Sequence, residues 1–203
     1  MIKLRGYGLS MMLFLPAMFV ESNIPMSIQP LNIILLKGTS TLHNYECKST
    51  ALQGVIEMDT LLSSFTDIEV TIPVKTILSG NSSMDENMYE ALDAEDNPNI
   101  IFTLLRSDST LKQTTKLTDS TIQLRGTLSV AGKKQIIDLP IKVKRGDNGI
   151  VTVHGNKILL MSDYGIKPPT FMLGILKTGN EVSVEFDVTL KGTNSLLYNI
   201  PAN

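Results

Sequence analysis

The sequence predicts an all-β fold of antiparallel strands with one short helix, and three observations lead to that prediction. Apolar and polar residues alternate with a period of two over several stretches of the chain. Short runs rich in glycine, asparagine and aspartate separate those stretches at hairpin spacing. One segment breaks the alternation and has helical spacing instead. Neighbouring strands are therefore expected to pair in sequence order.

The first residues of the chain differ from the rest. Lys3 and Arg5 precede an apolar run over residues 6–20, which is shorter than the ~20 residues that a membrane-spanning helix needs. We expect residues 1–22 to be a signal peptide, with an uncleaved anchor as the alternative. The mature protein is accordingly expected in the periplasm or outside the cell. Residues 23–34 contain two prolines and are expected to be an extended lead-in with the start of the first strand.

Four stretches have a clear period of two and predict half-buried strands. Their apolar faces are, in chain order, Ile68, Val70, Ile72 and Val74; Ile122, Leu124, Leu128 and Val130; Ile137, Leu139, Ile141 and Val143; and Val182, Val184, Phe186, Val188 and Leu190. Turns are predicted at residues 131–133, 146–149 and 178–180, where glycine occurs beside alanine, lysine, aspartate, asparagine or threonine.

A short helix is predicted between two of these strands. Its apolar residues fall at helical spacing: Met84, Met88, Ala91 and Leu92. Ser83 and Glu86 have the spacing of a capping box at the helix start. Pro98 ends the helical pattern, and a further strand is expected over residues 99–106.

The strand count leaves two architectures open. About eight or nine strands, each with one apolar face, can form either a sandwich of two sheets or a closed barrel. Periodicity alone does not decide between them.

Charge and composition exclude several classes of function. The formal net charge is −2 and the basic residues are scattered, so nucleic acid is not an expected partner. Cys47 is the only cysteine, so no internal disulfide can form. A group of carboxylates around residues 85–96 is interpreted as a solvated helix face.

No catalytic or metal-binding set is predicted. His43 and His154 are the only histidines. His43 and Cys47 are interpreted as lying on one strand, where four residues of about 3.3 Å each would separate them by roughly 13 Å. That distance is too long for a nucleophile and its base, or for two ligands of one metal ion.

Several short motifs carry a family resemblance and cover most of residues 35–191. They are KGTSTLHNYE at residues 37–46, IPVKTI at 72–77, MDENMYEAL at 84–92, NPNIIF at 97–102, GTLSVAG at 126–132 and DYGIKPPTF at 163–171. The helix followed by N-P-x-I-x-F, with the later G-x-L-x-V-x-G hairpin, is the most specific combination. On these motifs the chain resembles the YceI family of bacterial lipocalin-like, polyisoprenoid-binding proteins. The chain departs from the family in having Tyr45 where a tryptophan is common.

The resemblance implies an up-and-down, lipocalin-like barrel of about eight antiparallel strands over residues 35–192, followed by a tail over residues 193–203. It also implies an apolar interior that holds an extended isoprenoid chain, with the helix near one end. No cofactor is expected other than a bound isoprenoid lipid or a quinone. No stable transmembrane anchor is expected.

The predicted lining combines the inward strand positions with the helix and one loop. The strand residues are Ile68, Val70, Ile72, Phe102, Leu104, Leu128, Leu139, Ile141, Val184, Phe186 and Val188, the helix residues closing one end are Met84, Met88 and Leu92, and the loop residues are Phe171 and Met172. The apolar segment 171–173 is expected either to plug the barrel or to form a homodimer contact.

Three functions follow in order of preference. The first is an exported, non-enzymatic carrier of a polyisoprenoid or similar long-chain lipid. The second is a protein-interaction or structural module with a packed interior. A lipid-modifying enzyme is a distant third.

Overall fold

The computed structural model describes residues 23–60, 64–105, 120–171 and 176–193. The expected signal peptide, residues 1–22, lies outside the described residues, as do residues 194–203 of the expected tail. The strands are β1 (Ile24–Ile28), β2 (Ile33–Ser40), β3 (Tyr45–Ser49), β4 (Gln53–Met58), β5 (Phe65–Pro73), β6 (Asn99–Leu104), β7 (Ser120–Val130), β8 (Lys133–Arg145), β9 (Ile150–Leu160), β10 (Thr170–Phe171) and β11 (Leu176–Gly192). One α-helix, α1 (Ser82–Ala91), lies between β5 and β6.

The strands form a closed antiparallel barrel. Strands β4 to β9 pair in sequence order, and β9 pairs with β11. Strand β1 completes the ring because it pairs with β11 on one side and with β4 on the other. The closed path β1, β4 to β9 and β11 therefore has eight strands. The predicted all-β barrel with one short helix is confirmed.

The extra strands arise because two positions in the ring are interrupted. Strand β11 is 17 residues long, and it pairs with β1 near its end and with β2 along its earlier part. Strand β2 continues into a hairpin with β3, while β1 pairs with β4. The pairs β1/β2 and β3/β4 thus each act as one broken strand of the barrel.

Asn32 supports the break between β1 and β2. Its side chain is buried, its amide nitrogen donates to the carbonyl of Gln29 at 2.6 Å, and its amide oxygen accepts from the backbone N–H of Thr189 at 3.0 Å. A side chain thereby replaces the ladder hydrogen bond that β11 would otherwise lose at this point.

Three local features differ from the sequence predictions. Residues 23–34 contain the start of a strand, β2, as expected, but they also contain β1, in which Ile24 and Met26 are buried and Pro25 is exposed. Residues 178–180 lie inside β11, at a shift in its register with β2, and do not form a separate turn. The helix begins two residues earlier than the capping box predicted, because the N-cap is Asn81 and not Ser83; the side chain of Asn81 accepts from the N–H of Met84 at 3.1 Å.

The two ends of the barrel differ. The helical end carries α1 and the turn Ala131–Gly132 between β7 and β8, in which both residues have positive φ as a two-residue hairpin requires. The far end carries the turn at residues 146–149 between β8 and β9. Large buried side chains fill the interior near the far end, among them Met58, Phe65, Val143, Val151 and Leu190.

Two aromatic rings inside the barrel lie against glycines of neighbouring strands. Phe186 on β11 is the register partner of Gly155 on β9, and a Cβ at Gly155 would overlap its ring. A Cβ at Gly126 on β7 would likewise overlap the ring of Phe102 on β6, although the register partner of Gly126 is Leu104. Each ring therefore fits against the barrel wall because the glycine beside it has no side chain.

The change Gly155→Ala should destabilise the barrel by about 1–3 kcal/mol, because the added methyl group must displace the Phe186 ring. Urea unfolding followed by circular dichroism measures the effect. The matched control is Gly146→Ala, where a Cβ would have ordinary contacts of 3.6 Å and longer with Ile150. Equal stability of the two variants would contradict this view of the packing.

Candidate functional site: an apolar cavity in the barrel

The barrel encloses an apolar cavity of about 150 Å³. Its walls are formed by inward-facing side chains from β2, β4 to β9 and β11. Ten of the predicted lining residues lie on these walls: Ile68, Val70, Ile72, Phe102, Leu128, Leu139, Ile141, Val184, Phe186 and Val188. The alternation of each strand places them there, because every second residue points to the same side of a sheet.

Burial changes along the barrel axis. Ile68, Ile141 and Val188, which lie toward the far end, are 5%, 0% and 7% exposed. Lining residues closer to the helical end, such as Ile72 and Val184, are only half-buried. Because packed side chains fill the far end, a molecule reaches the cavity most easily from the helical end.

Four predicted lining residues are not part of the cavity wall. Leu104 is buried in the core, 4% exposed, but does not line the cavity. Met84 and Met88 of α1 and its C-cap residue Leu92 are half-buried and are not among the residues that line it. That these residues close one end of the barrel stays a prediction.

The contacts of α1 explain its position. Asp85, a buried residue of the helix, accepts hydrogen bonds from the backbone N–H and the hydroxyl of Ser79 at 2.7 and 2.6 Å. Tyr89 donates its hydroxyl to the carbonyl of Ile77 at 2.9 Å. These bonds hold the helix against residues 75–79, the segment that leads out of β5, and not across the cavity.

The loop residues of the predicted lining stay untested. Phe171 belongs to β10, which pairs with β11, but its side chain lies outside the described part of the structure. Met172, and with it the rest of the segment 171–173, also lies outside the described residues. The plug and the homodimer contact thus stay predictions.

The sequence prediction missed all of β9. Val153, Lys157 and Leu159 of this strand line the cavity. The inward positions of β9 include Gly155 and a charged lysine, while Ile158 and Leu160 on its outer face are 58% and 36% exposed. The usual contrast between an apolar and a polar face is therefore weak in β9. A search for a segment able to pair residue by residue with β11 could have found this strand.

A model of the YceI-like domain matches residues 35–190, more than half of the chain. The chain belongs to the YceI-like domain family. Tyr45, the residue at which the sequence departs from the family motif, does not line the cavity, because it lies over Gly38 of the paired strand β2. Burial raises the pKa of the Tyr45 hydroxyl to about 12.

Solved structures share the fold of this YceI-like chain. A polyisoprenoid binding domain from Saccharophagus degradans superposes with a TM-score of 0.64 at 13% identity, covering 83% of this chain and 99% of that one. Burkholderia cenocepacia BcnA gives 0.62 at 14% identity, with coverages of 78% and 95%. A Campylobacter jejuni YceI protein gives 0.59 at 17% identity, with coverages of 73% and 85%. A search of curated proteins found no match.

Both histidines of the YceI-like barrel lie outside the cavity. His43 is exposed in the connection between β2 and β3, so the interpretation that it shares a strand with Cys47 was wrong. His154 lies on the outer face of β9, with its Nδ1 atom 2.8 Å from Oδ1 of Asp187. Among the described residues, no group of three or more His, Cys, Asp or Glu side chains is arranged to hold a metal ion.

In the described part of the chain, no helix has the length and apolar character needed to cross a membrane.

The Cys47 thiol should be inert in the folded protein. It is 1% exposed, and burial raises its pKa to about 11, so only about 0.1% would be thiolate at pH 8 even if a reagent reached it. Titration with an aromatic disulfide reagent at pH 8 should give no fast reaction in buffer and full reaction of one thiol in urea. Fast modification of the folded protein would contradict the burial of β3 against the core.

Proposed function

We propose that this chain is an exported binding protein that holds a polyisoprenoid or a similar long-chain lipid inside the barrel. The observation that carries the proposal is the apolar cavity in a closed barrel, with packed side chains at the far end and half-buried walls toward the helical end. Such a cavity offers contact area to an apolar chain and few polar groups for chemistry.

Burial alone supplies enough free energy for such binding. Each buried CH₂ group contributes about 0.8 kcal/mol, so a five-carbon isoprene unit contributes on the order of 4 kcal/mol before the cost of immobilising the chain. Three or four buried units would supply about 12–16 kcal/mol, which exceeds the roughly 8 kcal/mol of micromolar affinity by about 4–8 kcal/mol, within the range that association costs, so no ion pair is required.

The size of the cavity sets a condition on the ligand. A cavity of roughly 150 Å³ lined by aliphatic and aromatic side chains accommodates a guest the size of benzene, which is close to one isoprene unit. A longer chain needs the half-buried residues near the helical end, such as Val184 and Phe186, to rotate or move outward. Those residues lose less packing on moving than Ile141 or Val188 would, because they are already partly exposed.

The related structures and the N-terminal sequence support the same proposal. One similar fold is a polyisoprenoid binding domain, and the family is shared over residues 35–190. Lys3, Arg5 and the following apolar run are typical of an export signal. The cavity also disfavours the alternative of a module with a fully packed interior, because that interior would leave no such space.

The direct test is extraction of the protein after expression of the full chain in a bacterial host and purification from the exported fraction. Organic extraction and mass spectrometry should recover a long-chain apolar lipid at up to one molecule per protein. The control is the same extraction of the Leu139→Trp variant described next. Recovery of no lipid, together with no binding of added isoprenoid alcohols of any length, would contradict the proposal.

Filling the cavity should weaken binding without unfolding the barrel. Leu139 lines the cavity on β8, so Leu139→Trp should weaken isoprenoid binding by at least about tenfold through loss of space, with a stability change of about 1–3 kcal/mol. Ile136→Trp is the matched control, because Ile136 is on the outer face of the same strand and 59% exposed. Fluorescence titration with a polyene fatty acid or isoprenoid probe measures both. A similar loss in both variants would place the ligand somewhere other than the cavity.

A further inference from the structure

Among the described residues, one charged side chain lines the cavity. Lys157 lies on β9 with Val153, Gly155 and Leu159 on the same face, and its register partner on β11 is the lining residue Val184. Among the described residues that line the cavity, Lys157 is the only one that carries a charge.

The part of the chain that the structure describes supplies no counter-charge for this lysine. Other lysines of the barrel have acidic partners: Nζ of Lys37 lies 2.6 Å from Oε2 of Glu185, and Nζ of Lys75 lies 2.7 Å from Oε1 of Glu95. No hydrogen bond or ion pair within residues 23–60, 64–105, 120–171 and 176–193 involves the side chain of Lys157. The remaining lining residues are aliphatic or aromatic.

Lys157 lies toward one end of the barrel axis. It is half-buried and belongs to the wall near the helical end, where the lining is partly exposed. The walls below it, toward the far end, are apolar and end in the buried residues Ile141 and Val188. A lysine stem packs against apolar surface while its ammonium group stays close to water. The cavity therefore combines a cation at its entrance with an apolar interior.

We propose that Lys157 binds the acidic headgroup of the ligand, so that the ligand is an amphiphile with an oxyanion at one end and an apolar chain at the other. The chain lies in the cavity, and the headgroup, a carboxylate or a phosphate, meets the ammonium group at the helical end. This inference rests on the proposed function and adds the chemical class of the headgroup to it. A bond between an ammonium group and an oxyanion is stronger than one between neutral groups.

The test compares three compounds with one tail: farnesol, farnesoic acid and farnesyl phosphate. The wild-type protein should bind at least one of the two acids about tenfold or more tightly than the alcohol. In Lys157→Met this preference should vanish, so that the three compounds bind with affinities equal within about twofold. Lys157→Arg keeps the charge and should keep the preference. Whether the acid or the phosphate binds more tightly distinguishes a carboxylate source from a phosphate source.

The matched control is Lys134→Met, which removes an exposed charge from the outer face of β8 at the same end of the barrel. It should leave the preference for the acids intact. Equal affinity of the wild-type protein for all three compounds would overturn the inference while leaving the proposed function in place. A preference that survives in Lys157→Met would also overturn it. Failure of all three compounds to bind would overturn the inference, and together with failure of isoprenoid alcohols of every length and of the lipid extraction it would overturn the proposed function as well.

Discussion

Closure of the sheet is the constraint on which the rest of the molecule depends. Strand β1 bridges β4 and β11 through short ladders, with Met26 opposite Gly192 and Ile24 opposite Met58. Because of these ladders the inner faces of the strands surround one space and the backbone groups at both seams find partners. Asn32 allows the closing chain to pass from β1 to β2 without losing a hydrogen bond to β11. Without this seam the apolar faces would form an open sheet with no enclosed cavity.

Packing inside the ring then determines what the interior can do. The far end is filled by side chains such as Met58 and Val143, which are 0% and 1% exposed. Nearer the middle, Phe102 and Phe186 lie against glycines of adjacent strands, and space remains beside them. The interior is therefore neither packed solid nor wide open. Its apolar wall favours binding by burial, and Lys157 places one charged group in that wall near the helical end.

The fold could be predicted from the sequence to the extent that each strand has one apolar and one polar face. Strands β5, β7, β8 and β11 meet that condition, and their inward residues were found because parity alone decides the face. Strand β1 was hidden by Pro25, which suggested an irregular lead-in. Strand β9 was hidden because Gly155 and Lys157 occupy inward positions. Barrel closure came from the family resemblance, since no local pattern records which strands meet at the seam.

The sequence predicts which side of each strand faces the interior, but not how far along the barrel axis each residue lies. Alternation shows that Leu104 points inward, but not that it lies beyond the cavity in the packed far end. Helical spacing gives α1 an apolar stripe, but the hydrogen bonds of Asp85 and Tyr89 to residues 77–79 decide where the helix lies. Such positions depend on contacts between distant parts of the chain.

If an isoprenoid chain lies inside the barrel, it can be cross-linked to the barrel wall. The direct test is a farnesyl probe that carries a photoreactive group on its tail, with cross-linked peptides mapped by mass spectrometry. We expect labelling of inward residues on neighbouring strands, such as Leu139 and Phe186. Labelling confined to exposed residues of the outer face, such as Ile136 and Ile158, would contradict it.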